Sequence, residues 1–100
     1  MPTFTVTHET GLGRDETFSR VCDYLQNSEG LKKMDPDLKC QFDQNTKTGK
    51  VKGSKFNCEL TVTQGDKTKV KFEVSIPLLL TPFKGTIENT LKEKMIKILG

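Results

Sequence analysis

Two alternating runs joined by one turn constrain this chain more than any other feature. Phe56, Cys58, Leu60 and Val62 alternate with Asn57, Glu59 and Thr61; beyond Gln64-Gly65-Asp66-Lys67, Val70, Phe72, Val74 and Ile76 alternate with Lys71, Glu73 and Ser75. Period two sends the apolar side chains of each run to one face and the polar ones to the other. A hairpin built this way is apolar on one side only, and that side needs a cover. Keeping Val62 and Val70 on one face requires a loop of odd length, or an even one with a bulge.

The rest of the chain supplies more strand and the cover. Phe4, Val6 and His8 oppose Thr3, Thr5, Thr7 and Glu9, a half-buried strand. Leu38, Cys40 and Phe42 alternate with Lys39, Gln41 and Asp43, and the segment 45–49 reads as a turn by composition. Val51 has the opposite parity from the Phe56–Val62 set, so Gly53-Ser54 is expected to be a bulge or corner that shifts the register.

Two segments carry helical spacing. Phe18, Val21, Cys22 and Leu25 stand at i, i+3, i+4 and i+7, with Asp15 and Glu16 in the first turn and Gly30 as a stop. Residues 31–37, punctuated by Pro36, read as a loop. Thr81-Pro82 reads as an N-cap and first-turn proline, opening a stripe of Phe83, Ile87, Leu91, Met95 and Ile98. Glu88–Lys92 and Glu93–Lys97 are i,i+4 pairs on its wet side. The order is β-α-β-β-β-α, and the expected fold is α+β. It is a two-layer sandwich, an antiparallel four-stranded sheet with both helices on one face, the first strand beside the last and the second on the far edge.

Length and composition narrow the functions. One hundred residues, 33% hydrophobic and 29% charged, make a single domain over 1–100 and exclude a disordered chain. The longest apolar run is Leu78-Leu79-Leu80, too short to span a bilayer, and the N-terminus lacks the pattern of a signal peptide. Cys22, Cys40 and Cys58 are odd in number, without a C-x-x-C pair, and each is in phase with apolar neighbours. They are expected to be reduced, buried and inert, which fits a cytoplasmic protein.

Few residues offer chemistry. His8 has no neighbour at metal-ligand spacing and reads as a structural hydrogen-bonder. Gly11-Leu12-Gly13 lacks the third glycine of a dinucleotide fingerprint, and Asp15/Glu16 and Asp35/Asp37 lie in solvent-type segments. No catalytic, cofactor-binding or metal-binding residue is expected, and the chain reads as a non-enzyme. Lys50, Lys52, Lys55, Lys69 and Lys71 form a candidate basic surface. With the α-β-β-β-α order they give an alternative reading as a double-stranded RNA-binding module, although the last helix opens with one lysine, Lys84, instead of a cluster. The bland reading of these lysines is a solvated sheet face that resists edge aggregation.

The stretch Pro77-Leu78-Leu79-Leu80-Thr81-Pro82-Phe83 is the most unusual. Three consecutive leucines cannot all face one core in any regular element, so one or two are expected to be exposed. Leu78, Leu79, Leu80 and Phe83 therefore form a candidate apolar contact surface for a second copy, a hydrophobic partner or a lipid-like surface.

The chain also resembles a small bacterial family, the polyhydroxyalkanoic acid system proteins. The resemblance rests on His8 with Gly11-Leu12-Gly13 before a helix, then Val70 to Ile76, Leu78 to Leu80, Pro82-Phe83-Lys84-Gly85, Ile87-Glu88 and the leucine-spaced helix from Leu91 to Leu99. It covers the chain in order and is specific in the last third; the segment 45–54 is longer and richer in lysine than the family pattern. It implies a small intracellular protein of storage-polyester metabolism, with the polyester granule as a partner, and supplies no catalytic residues. At the level of fold the chain is similar to a reduced helix-grip domain, whose curved sheet and last helix enclose apolar ligands.

Overall fold

The alternating runs form an antiparallel sheet in the computed structural model, which describes residues 2–100. The strands are β1 (Thr3–Thr10), β2 (Lys39–Asp43), β3 (Thr48–Lys52), β4 (Asn57–Gln64) and β5 (Thr68–Ser75). Their spatial order is β1-β5-β4-β3-β2, so the first strand lies beside the last and β2 is the far edge, as the sequence predicts. Val62 faces Val70 across a hairpin closed at Gln64 and Thr68, an odd loop of three residues.

The sheet has five strands, one more than expected. Residues 48–52 are a strand of their own, and of the bulge or corner expected at Gly53-Ser54 the structure has the corner, a tight turn over 53–56: Lys52 pairs with Asn57, and the Gly53 N–H donates to the Phe56 carbonyl at 3.0 Å. An even loop changes parity, which puts Val51 and Cys58 opposite each other on the inner face.

The helices are α1 (Arg14–Asn27), a short α2 (Glu29–Met34) and α3 (Lys84–Leu99). Gly30 does not end the first helix. Ser28 ends it and caps the next, accepting a hydrogen bond from the Leu31 N–H. Nor is Thr81-Pro82 the start of the last helix; both residues lie inside a 3₁₀ turn, Leu78–Phe83, that precedes α3. Phe18, Val21, Cys22 and Leu25 from α1, and Leu91, Met95 and Leu99 from α3, are buried on the inner sheet face with Val6, Leu60, Val62, Val70, Phe72 and Val74. Phe18 and Phe72 are wholly enclosed, each worth roughly 2–3 kcal/mol of transfer free energy. The α3 stripe ends on Leu99 instead of Ile98, which is only half-buried.

Polar contacts fix the layers. The carbonyls ending α3 accept from three side chains: Arg20 Nη1 to Ile98 at 2.9 Å, Thr10 Oγ1 to Leu99 at 2.9 Å and His8 Nε2 to Gly100 at 3.1 Å. These satisfy orphan acceptors, and Arg20 also sets a positive charge at the negative end of the helix dipole. Arg14 ties α1 to the sheet, donating through Nε to the Val62 carbonyl and through Nη2 to that of Thr46.

Asp35 is not the solvated carboxylate that its loop composition suggests. It is fully buried, and it accepts from the Lys55 N–H at 2.7 Å, the Ser54 hydroxyl at 3.0 Å and the Asp37 N–H at 3.2 Å. The Lys55 N–H, aided by Ser54 and Asp37 and opposed by burial, holds this carboxyl below its ordinary pKa. A Cβ at Gly53 would overlap the Asp35 carboxylate, so this turn accepts only glycine without rearrangement.

Candidate functional site

The 3₁₀ turn decides which leucines face inward. Pro77 fixes its start with φ −64°, and the Leu80 N–H donates to the Pro77 carbonyl at 3.0 Å. Side chains three apart eclipse in such a turn, so Leu80 and Phe83 share a face. Both line an apolar cavity behind the turn. Leu78 and Leu79 point away and are 78% and 88% exposed; Phe83, at the cavity mouth, is 55% exposed. Of the four residues expected to form an apolar surface, Leu78 and Leu79 present themselves fully, Phe83 in part, and Leu80 turns in.

The cavity holds about 250 Å³. Its floor is the end of the inner sheet face, Val51, Cys58, Val74 and Ile76, with Phe56 from the β3–β4 turn. Tyr24 and Leu25 of α1 and Leu31 of α2 form one wall, and Thr86, Ile87, Thr90 and Leu91 of α3 form the other. Among the described residues no charged side chain lines it. Helices α1 and α3 are bound to each other at Arg20 and Ile98, and the cavity occupies the space between them further along, toward the C-terminal end of α1.

The cysteines are free thiols, with Cys22 and Cys58 buried and Cys40 half-buried. Burial, reinforced by Glu59 and Cys40, pushes the Cys58 thiol up to about 12; burial with Asp23 and Cys40 pushes Cys22 up to about 11. Burial also raises Cys40, partly offset by Lys32. The thiolate, which is the reactive form, is therefore disfavoured at neutral pH. His8 is engaged with the Gly100 carbonyl. Among the described residues no group of three or more His, Cys, Asp or Glu is placed to hold a metal ion, and no helix is long and apolar enough to cross a membrane.

The five candidate lysines do not form one stripe. Lys50 and Lys52 lie on β3, Lys69 and Lys71 on β5, and Lys55 in the β3–β4 turn. Lys50 pairs across to Glu59, Lys69 to Glu9, and Lys71 Nζ stands 3.1 Å from the Glu73 carboxylate. Carboxylates thus stand beside Lys50, Lys69 and Lys71, whereas Lys52 lies between Lys39 and Asn57. Lys47, in the turn between β2 and β3, is engaged elsewhere. Its ammonium meets Asp15 at 3.1 Å and lies 5.6 Å from the Phe18 ring centre.

The cavity is the functional feature that the residue pattern missed, although the helix-grip likeness implied an apolar site between sheet and last helix. Each lining residue reads as core or as helix surface, and nothing in periodicity says that two helices diverge over the sheet. Phe56, which the alternation assigns to the strand, lies instead in the turn before β4 and lines the cavity.

Fold and site together define a class: a two-layer α+β domain whose antiparallel sheet and long last helix grip an apolar cavity. A crystal structure of TTHA0849 from Thermus thermophilus shares this fold, with a TM-score of 0.55 and 11% sequence identity over 94% of this chain and 86% of that one. No curated protein sequence matches the chain. The model of the polyhydroxyalkanoic acid system protein family matches residues 4–99, and this chain belongs to that family.

Proposed function

We propose that this protein is a non-enzymatic, cytoplasmic component of the storage-polyester system that docks on the polyester granule through Leu78, Leu79 and Phe83. The observation that carries the reading is the pair of adjacent leucines held out on a proline-bracketed 3₁₀ turn. The family gives the apolar partner its chemistry. Moving both leucines from water into an apolar surface is worth roughly 3–5 kcal/mol. That is a reversible grip, comparable to a single acyl anchor. Lys84, exposed beside the turn, stays in water while the leucines insert.

The test is partition of wild type and Leu79→Glu onto protein-free polyhydroxyalkanoate particles, with sedimentation and melting of each protein alone. Wild type is expected to bind, and the variant to melt alike and lose at least about tenfold in partition. Equal partition of two equally folded proteins would refute the docking surface. A stable wild-type dimer that Leu79→Glu dissociates would assign the turn to a second copy instead.

A further inference from the structure

The structure assigns the cavity behind the 3₁₀ turn as a binding site for one uncharged alkyl chain ending in an ester. The inference stands on the cavity itself and does not depend on granule docking. An apolar cavity of about 150 Å³ stays dry and admits a six-carbon ring. At the same ratio, the 250 Å³ of this open-mouthed cavity admits roughly ten carbons. The interior is Leu25, Leu31, Val51, Val74, Ile76 and Leu91, so nothing within it rewards a polar atom. The lining hydroxyls are that of Tyr24, already hydrogen-bonded to Ser28, and those of the exposed Thr86 and Thr90, which sit at the mouth one helical turn apart on α3. An alkyl chain inside and a neutral carbonyl at the rim match that order. A free carboxylate matches it less well, because among the described residues no lysine or arginine lines the cavity to pair with it. Hydroxyalkanoyl esters and lipid acyl esters share this chemistry.

Calorimetric titration tests the assignment with methyl 3-hydroxyalkanoates from butanoate to tetradecanoate, methyl decanoate and decanoate. Saturable one-to-one binding is expected, tightening roughly fourfold per methylene until the chain reaches about ten carbons and then levelling. Decanoate should bind at least about tenfold more weakly than its methyl ester. Thr90→Phe and Thr86→Phe, both on exposed helix surface, fill the mouth and should each weaken binding about tenfold without lowering the ligand-free melting temperature. Leu79→Glu should bind esters as wild type does, which separates this site from the docking turn. A preference for methyl 3-hydroxydecanoate over methyl decanoate would assign the ligand to hydroxyalkanoates, and parity would assign it to acyl esters in general. Absence of saturable binding by every ester, affinity that keeps rising past the capacity, or unchanged binding by both filled variants would overturn the site.

Discussion

Gly49 sits in β3 beneath the ring of Phe42, and adding one methyl there should be costly for a reason that a second substitution removes. A Cβ at Gly49 would stand 2.6 Å from Phe42 Cδ1 and 3.0 Å from Leu60 Cδ2, so the Phe42 ring has to move. That ring packs edge-on against Phe18, centroids 6.3 Å apart and planes at 89°, and displacing it also gives up part of that contact. Overpacking of this kind costs about 1–3 kcal/mol. For a domain of this length that is a fall in Tm of roughly 5–20 °C. In a Phe42→Ala background the obstruction is gone and Leu60 can rotate into the vacated space. There Gly49→Ala should be neutral or gain roughly 0.5–1 kcal/mol, because alanine loses less backbone freedom than glycine on folding. The sign change is the diagnostic, and a double-mutant cycle by urea unfolding reads it as a coupling of about 2 kcal/mol. Equal costs of Gly49→Ala with and without the ring would refute the account.

Maleimide should label the thiols slowly in native protein at neutral pH, with all three cysteines reacting after denaturation. Because folding raises the Cys22 and Cys58 pKa values above the ordinary 9.0, the folded state holds more protons in alkali. Their contribution is intact below that value and is lost as pH climbs toward 11–12, by about 1.4 kcal/mol per thiol for each unit; a Cys58→Ala variant should show a shallower alkaline limb of Tm against pH. Thr17, wholly buried in α1, has a hydroxyl with no hydrogen-bond partner among the described residues. Thr17→Val keeps the shape and should leave stability unchanged or raise it by roughly 1 kcal/mol; a loss in thermal unfolding would show that the hydroxyl has a partner in solution.

The parts of the fold that were legible were those in which a side chain carried the signal. The alternation in 56–62 and 70–76 gives β4, β5 and their odd loop, down to Val62 opposite Val70. Strand β3 was not legible, because Thr-Gly-Lys-Val-Lys has one large apolar residue; its second inward position, Gly49, is covered by a ring lent from β2. Asp35 misled because composition marks a loop as wet, whereas three donors brought from the sequence around it and from a distant turn let the carboxylate be buried. At the candidate site, arithmetic on three consecutive leucines required some to be exposed. Which two depended on the phase of a 3₁₀ turn, and the sequence reads as an ordinary helix start there. Periodicity could not show the cavity, which is space left between residues; only the fold-level likeness to a helix-grip domain pointed to one.

The two ends of α3 are held very differently. At its C-terminal end Arg20, Thr10 and His8 grasp consecutive carbonyls, from two separate elements of the chain. At its N-terminal end Phe83 supplies no side-chain cap, and the first buried residue is Leu91, two turns in. The helix is thus held by hydrogen bonds at one end and, where the cavity opens, by apolar contact and by the Lys84 ammonium 5.6 Å from the Phe4 ring centre. Any adjustment to a guest therefore falls to the cavity end of α3, while its far end keeps its place against α1 and β1.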